Sequence, residues 1–276
     1  MTVTIEDLFV YPVKSARGIR KPTVLLGPTG FEWDRNWMIV DDTGKFISQR
    51  THPKLAQVVP QLGEDRLILE APGMKALHVV RKAGQRFGTA PLVTVRVWND
   101  ACQGVDQGDA AARWVSQFLG EELRLVQVVE SPQRRANPKY AGEDFNPVTF
   151  PDGFPILVCN RASLEELNTR MPEPVPMNRF RPNIVLGGLP AFAEDRIASL
   201  RWGEIELRLV KPCTRCIITS TDQQTGERTT NPLPVLREFR FDRDLLGVTF
   251  GENAVVSRGV GSALELGLSA EVIYDR

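Results

Sequence analysis

The first hundred residues are cut into short apolar runs by turn residues, and no run there is long enough to be read as anything but a strand. TIEDLFVYPV, WMIVDD, KFISQR, RLILEA, LHVVRK and LVTVRVWN follow one another with Gly, Pro and Asp between them. Alternation of apolar and polar positions buries one face of a strand and leaves the other in water. Asp42-Thr43-Gly44 has the chemistry of a tight hairpin turn between the second and third runs. Short strands at this spacing predict a sandwich or barrel.

The texture then changes. In GDAAARWVSQFLG, Ala111, Trp114, Val115 and Phe118 recur at helical spacing, with Asp109 near the start and Gly120 at the end. RLVQVV reads as a strand. ESPQRRANPKYAGEDFNPVTFPDG has no period and is expected to be a long loop, a place where function often sits. PILVCN, PNIVLGG, IELRLVKP, CIITSTD and EVIYDR read as strands, and RASLEELNTRM as a helix. NPLPVLREFR reads as a short helix that Asn231 caps, with Pro232 in its first turn. The expected fold is mainly β with a few helices (β plus α/β), in two units, 1–122 and 123–276.

With 276 residues, 42% hydrophobic and 25% charged, the chain has an ordinary globular composition. Lys plus Arg and Asp plus Glu both number 34, which argues against broad binding to nucleic acid or to a membrane surface. Glu6 and Asp7 interrupt the first apolar stretch, so it does not read as a signal peptide. No apolar run approaches a membrane span. A cytoplasmic monomer acting on a small molecule is expected, with its four cysteines as thiols.

Two of those cysteines stand close together in KPCTRCIITSTDQQTGER. A redox Cys-x-x-Cys opens a helix, whose N-terminus lowers the thiol pKa; here the flanking runs read as strands. A structural zinc site wants four ligands, and Cys102, Cys159, His52 and His78 are scattered. Burial as a small apolar side chain suits Cys102 and Cys159. It suits Cys216 poorly, because Lys211, Thr214 and Arg215 make a cationic, polar setting that favours a thiolate, a soft metal ligand. One thiolate suffices if a bound cofactor brings the other ligands. Lys14 and Ser15 in YPVKSARGI, Arg35 in WDRNWMIV, and Arg179, Arg181 and Asn183 in NRFRPNIV lie at strand ends. Cations with hydroxyl and amide donors beside them suit a phosphate or a polar heterocycle; singly, each also reads as a solvated loop residue.

YPVKSARG, DRNWMIVDDTGKFISQR, FRPNIV and CTRCIITSTDQQTG, in this order, resemble the MOSC-domain family. The likeness is to its two-domain branch, which includes the mitochondrial amidoxime-reducing component and the YcbX-type proteins. The resemblance implies an N-terminal β-barrel domain packed on a MOSC β-barrel domain. It implies a molybdenum cofactor, a pterin dithiolene holding molybdenum, between the two, and it carries the family's association with pyridoxal phosphate. Cys216 matches the metal ligand. Lys14, Ser15, Arg35, Arg181, Asn183, Thr214 and Arg215 match cofactor contacts. Gly153 and Phe154 stand where relatives have hydroxyl residues, leaving backbone donors. The implied activity is reduction of N-hydroxylated compounds such as amidoximes, hydroxylamines and N-hydroxylated bases. Electrons would come from a separate ferredoxin-, cytochrome b5- or flavin-reductase-like protein. Arg215 would orient oxygen or pterin. Asp222 is a candidate proton donor and equally a turn residue in Asp-x-x-Thr-Gly. The alternative is a carrier that passes on cofactor, or sulfur as a cysteine persulfide.

Overall fold

Hydrophobic alternation builds the N-terminal half into two antiparallel sheets that share a core. The computed structural model describes residues 2–80 and 91–274. Trp37–Val40, Arg124–Val128, Asp100–Asp106 and Leu92–Val97 form one sheet in that order; Val59–Leu62, Arg66–Glu70 and Leu77–Val80 form the other. Helix α1, Asp109–Leu119, lies against both and buries Ala111, Trp114, Val115 and Phe118 among Trp37, Leu67, Leu69 and Leu125. Its bounds follow the sequence reading. Gly120 ends it in the left-handed conformation, with its N–H bonded to Ser116 O at 2.7 Å. Gly44 makes the expected turn at φ 78°, where an added Cβ would lie 2.4 Å from Thr94 O. Arg81 and Lys82 of LHVVRK, and Asp275 and Arg276 of EVIYDR, lie outside the described residues.

Seven strands then close a ring: Val3–Val10 (β1), Ile156–Asn160 (β2), Ile184–Gly187 (β3), Ile197–Trp202 (β4), Ile205–Thr214 (β5), Gly247–Arg258 (β6) and Ser269–Tyr274 (β7). The bonded order is β2-β3-β1-β7-β4-β5-β6, and β6 returns to β2 with Ile156 opposite Ala254. Only β2 and β3 run parallel, joined through helix α2, Arg161–Thr169. Leu8, Val158, Ile184, Leu200, Leu207 and Ala254 fill the ring. A register shift between Ile5 and Asp7 allows Ile5 and Leu8, three apart, both to face this core. Outside the ring, α2 and α3 (Leu233–Phe239) cover a second apolar layer around Phe180, Leu236 and Phe250. Asn231 Oδ1 accepts from Leu233 N at 3.0 Å, the expected capping contact at the start of α3.

Three sequence expectations change. KFISQR is not a strand: Lys45 and Phe46 make isolated bridges, and the chain then tightens into turns as Thr51 N and His52 N bond to Ser48 O. CIITSTD is not a strand either. Ile217–Ser220 form a 3-10 turn, with Thr219 Oγ1 bonded to Cys216 O at 3.0 Å and Ser220 Oγ to Ile217 O at 2.7 Å. Hydroxyls that bond back to the preceding turn override β-branched propensity here. The long loop holds a short ladder, Arg134–Arg135 with Pro147–Val148, and one helical turn at Pro138–Ala141 capped by Asn137.

Candidate active site

Lys14, Ser15, Arg35, Gly153, Phe154, Arg181, Asn183, Thr214, Arg215 and Cys216 line a single pocket, together with Arg50, Asp152, Leu157, Phe180, Cys213, Ile218 and Asn253. Lys14 and Ser15 follow β1, anchored by Lys14 N to Trp37 O at 2.8 Å. Arg35 is brought beside them by its own N–H, bonded to Tyr11 O at 2.7 Å. Arg181 and Asn183 precede β3, and Thr214 to Cys216 run off the end of β5, where the ladder to β6 is irregular. Ser15, Arg35 and Arg181 have φ of 67°, 48° and 56°. Non-glycine residues seldom adopt that conformation, and when they do it is often at a binding site.

A polar framework fixes the cations. Tyr11 lies between two of them, with the guanidinium carbons of Arg35 and Arg181 at 4.4 and 4.3 Å from its ring centre. Its hydroxyl donates to Pro182 O at 3.0 Å, and burial raises its pKa. Arg35 bonds to Asp34 and to Asn183 Oδ1. Asn183 uses its whole amide inside the protein: Oδ1 also accepts from Leu157 N, and Nδ2 donates to Phe9 O and Asp34 Oδ1. It lines the pocket as the brace of Arg35. Lys14 Nζ donates to Phe150 O at 2.9 Å and Asp152 Oδ1 at 2.5 Å. Burial pulls its pKa down to about 8, against the pull of Asp152. Burial also opposes ionisation of Asp152, but the charges of Lys14 and Arg50 override it and hold the carboxyl far below its usual range.

The thiols meet this cationic wall differently. Cys213 Sγ accepts from Arg215 Nη1 at 2.9 Å, and Arg215 Nη2 donates to Phe180 O at 2.6 Å. Arg215 Nε is buried with no hydrogen-bond partner. Cys216 starts the 3-10 turn. Arg228 clamps that turn to the N-terminal half: Nη1 bonds to Ile217 O at 2.7 Å, and Nη2 to Gln49 O and Arg50 O at 2.6 and 3.1 Å. All four cysteines are free thiols. Among the described residues no group of three or more His, Cys, Asp or Glu side chains is placed to hold a metal ion.

Asp222 is not part of the pocket lining. Its Oδ1 accepts from Gln224 N and Thr225 N at 2.8 and 3.0 Å, and its Oδ2 from Arg179 at 3.3 Å. Those backbone bonds, with Arg179, lower its pKa, and the arrangement is that of a turn residue. Sequence reasoning misses Arg50, Asp152 and Arg134. Arg134 Nη1 holds the carbonyls of Thr149 and Pro151 at 2.8 and 3.0 Å and so shapes the Asp152–Phe154 rim. Asp152 and Arg134 sit in the segment without a period, and Arg50 sits at the end of a run that reads as a strand, so no pattern singles them out.

The match to known proteins follows this geometry. Residues 2–122 match the MOSC N-terminal beta barrel domain, and residues 146–265 match the MOSC domain. The chain belongs to the MOSC-domain family, in the form that carries both domains. Its relatives include mitochondrial amidoxime reducing component 2 of Bos taurus, 37% identical over 86% of this chain and 72% of that protein. Mitochondrial amidoxime-reducing component 1 of Homo sapiens is 32% identical over the same shares. A molybdenum cofactor sulfurase of Danio rerio is 31% identical over 90% of this chain but only 31% of its own length.

The pocket suits the anionic, metal-bearing cofactor that such a family implies. Five cations line it against the single carboxylate of Asp152 among the described lining residues. Arg181 bonds to a neutral amide, Gln223 Oε1 at 3.3 Å, and burial pulls its pKa down to about 10. With Arg215 Nε it marks donor capacity that the protein itself does not use. Cys216 offers one soft ligand, the number required if the cofactor supplies the others.

Proposed function

We propose that this protein is a molybdenum-cofactor-dependent reductase of N-hydroxylated compounds, drawing electrons from a separate redox protein. One observation carries the reading: cationic side chains from both halves of the chain converge on the Cys216 thiol, and two of them keep donors unspent. Lys14, Ser15, Arg35 and Arg181 would hold the pterin and its phosphate, with Thr214 and the Gly153–Phe154 backbone completing the contact. Cys216 would ligate the metal. Bound there, the cofactor supplies two-electron redox chemistry at its metal. The chain's own residues orient and enclose. Arg215 is fixed by Cys213 and Phe180 O, so it presents a constant charge beside Cys216. Leu157, Phe180 and Ile218 give the pocket apolar wall that limits water. The balanced reaction is an amidoxime plus two electrons and two protons giving an amidine and water.

Among the described residues no helix is long and apolar enough to cross a membrane. A second reading, transfer of cofactor or of persulfide sulfur, draws on the sulfurase relative. The deciding experiment is purification from a host that makes molybdenum cofactor. Stoichiometric molybdenum is expected, lost in Cys216→Ala and largely kept in Cys213→Ala, with benzamidoxime reduced when an artificial donor is supplied. A protein without molybdenum that yields a trapped cysteine persulfide would overturn the reductase and favour the carrier.

A further inference from the structure

Arg50 differs from two of the other cations of the pocket. Lys14 and Arg35 have side chains only 6% and 13% exposed, whereas Arg50 is 25% exposed, so it stands nearer the mouth. Its Nη2 donates to Asp152 Oδ2 at 2.8 Å, and its guanidinium carbon lies 4.7 Å from the centre of the Trp98 ring. Trp98 is half exposed at φ 57°, with its ring edge against Phe46 at 5.1 Å. A bulky residue held there in a crowded backbone conformation needs a reason. Arg228 fixes the Arg50 carbonyl and the Ile217 carbonyl together, so the position of Arg50 beside Cys216 is set across the two halves. Arg50 and Cys216 line the same pocket.

We propose that Arg50 is the residue that recognises the hydroxyl oxygen of the N-hydroxylated substrate, with Trp98 and Asp152 holding its guanidinium in place. The inference rests on the reductase reading. Its chemistry separates substrate from product. An amidoxime is neutral near pH 7 and offers an oxygen acceptor to a guanidinium. The amidine formed from it has lost that oxygen and gained a positive charge, which a neighbouring guanidinium repels. The same side chain therefore draws substrate in and drives product out.

Calorimetric titration of the molybdenum-loaded protein with benzamidoxime and with benzamidine tests this. Wild type is expected to prefer benzamidoxime. Arg50→Ala should weaken benzamidoxime by about tenfold, the worth of one hydrogen bond from a charged donor, while benzamidine binds as well or better. Arg50→Gln, which keeps a donor but not the charge, should keep part of the benzamidoxime affinity and lose the discrimination against benzamidine. Molybdenum content and thermal unfolding of each variant show whether the pocket is intact, and Arg50→Gln serves if the alanine variant does not fold. Variants that retain the wild-type preference, or that weaken both ligands alike, overturn the role of Arg50. A loaded wild type that binds neither ligand overturns the reductase reading and this inference with it.

Discussion

Ser15, Arg35 and Arg181 all hold left-handed backbones, and nothing in their local sequence announces it. The usual marker is glycine, and none of the three is one. They are legible as site residues for another reason: each lies near a strand end beside other polar residues in a recognisable motif. Arg50 is not legible, because KFISQR reads as a strand and its arginine as a solvated end. Arg181 also bears an electrostatic cost, since its buried charge bonds only to the neutral Gln223 amide. A buried cation without an ion pair opposes folding until an anion arrives. Arg181→Met keeps the stem over Tyr11 and removes the charge. In cofactor-free protein it is expected to unfold within about 1 kcal/mol of wild type or above it. In protein from a cofactor-producing host, molybdenum content should fall sharply. Urea unfolding and metal analysis check the two halves of this expectation; a loss of several kcal/mol in the cofactor-free variant would make Arg181 structural.

Elements are legible where local chemistry and tertiary demand agree. Helix α1 has its apolar face and its terminal Gly120 in one short segment, and its bounds follow. The segment after Cys216 is where they disagree. β-branched residues suggest a strand, yet two hydroxyls and one distant arginine make a 3-10 turn. The decisive partner, Arg228, spans from Ile217 O to Gln49 O and Arg50 O, across 178 or more residues of sequence in the latter pairings. Removing it should loosen this turn before the barrel. Arg228→Ala is expected to cost about 1 kcal/mol in unfolding free energy. Amides of Thr219 and Thr221 should lose hydrogen-exchange protection while those of β5 and β6 keep theirs. Arg228→Lys should recover little, because one ammonium cannot reproduce a planar fork that meets several carbonyls. Unchanged exchange at Thr219 and Thr221 in the alanine variant would mean that the hydroxyls alone set the turn.

At the scale of the molecule, the step hidden from the sequence is closure. β1 begins the chain, yet it sits between β3 and β7 of a ring whose other strands all lie beyond residue 155. Local patterning gives strands, not their neighbours, and ring closure depends on partners far along the chain. Because β1 runs straight into Lys14 and Ser15, the barrel holds one wall of the pocket directly. Lys14 makes the whole fold sensitive to pH. Burial takes its pKa from the ordinary 10.5 to about 8 in the folded chain, while an unfolded chain keeps the ordinary value. Below about pH 8 both states hold the proton and the cost of burying the charge stands in full. Between about pH 8 and 10.5 the unfolded chain still binds a proton that the folded chain has released, so stability rises with pH across that window. Measured against Lys14→Met, which cancels every other titration, cofactor-free wild type is expected to gain about 2 kcal/mol between pH 7.5 and pH 10 in urea unfolding. An anionic cofactor beside the ammonium would return its pKa towards 10.5, so the same comparison on molybdenum-loaded protein should be nearly flat. A flat difference in the cofactor-free protein would mean that the Asp152 carboxylate compensates the buried charge completely, and that Lys14 needs no anion to stay protonated.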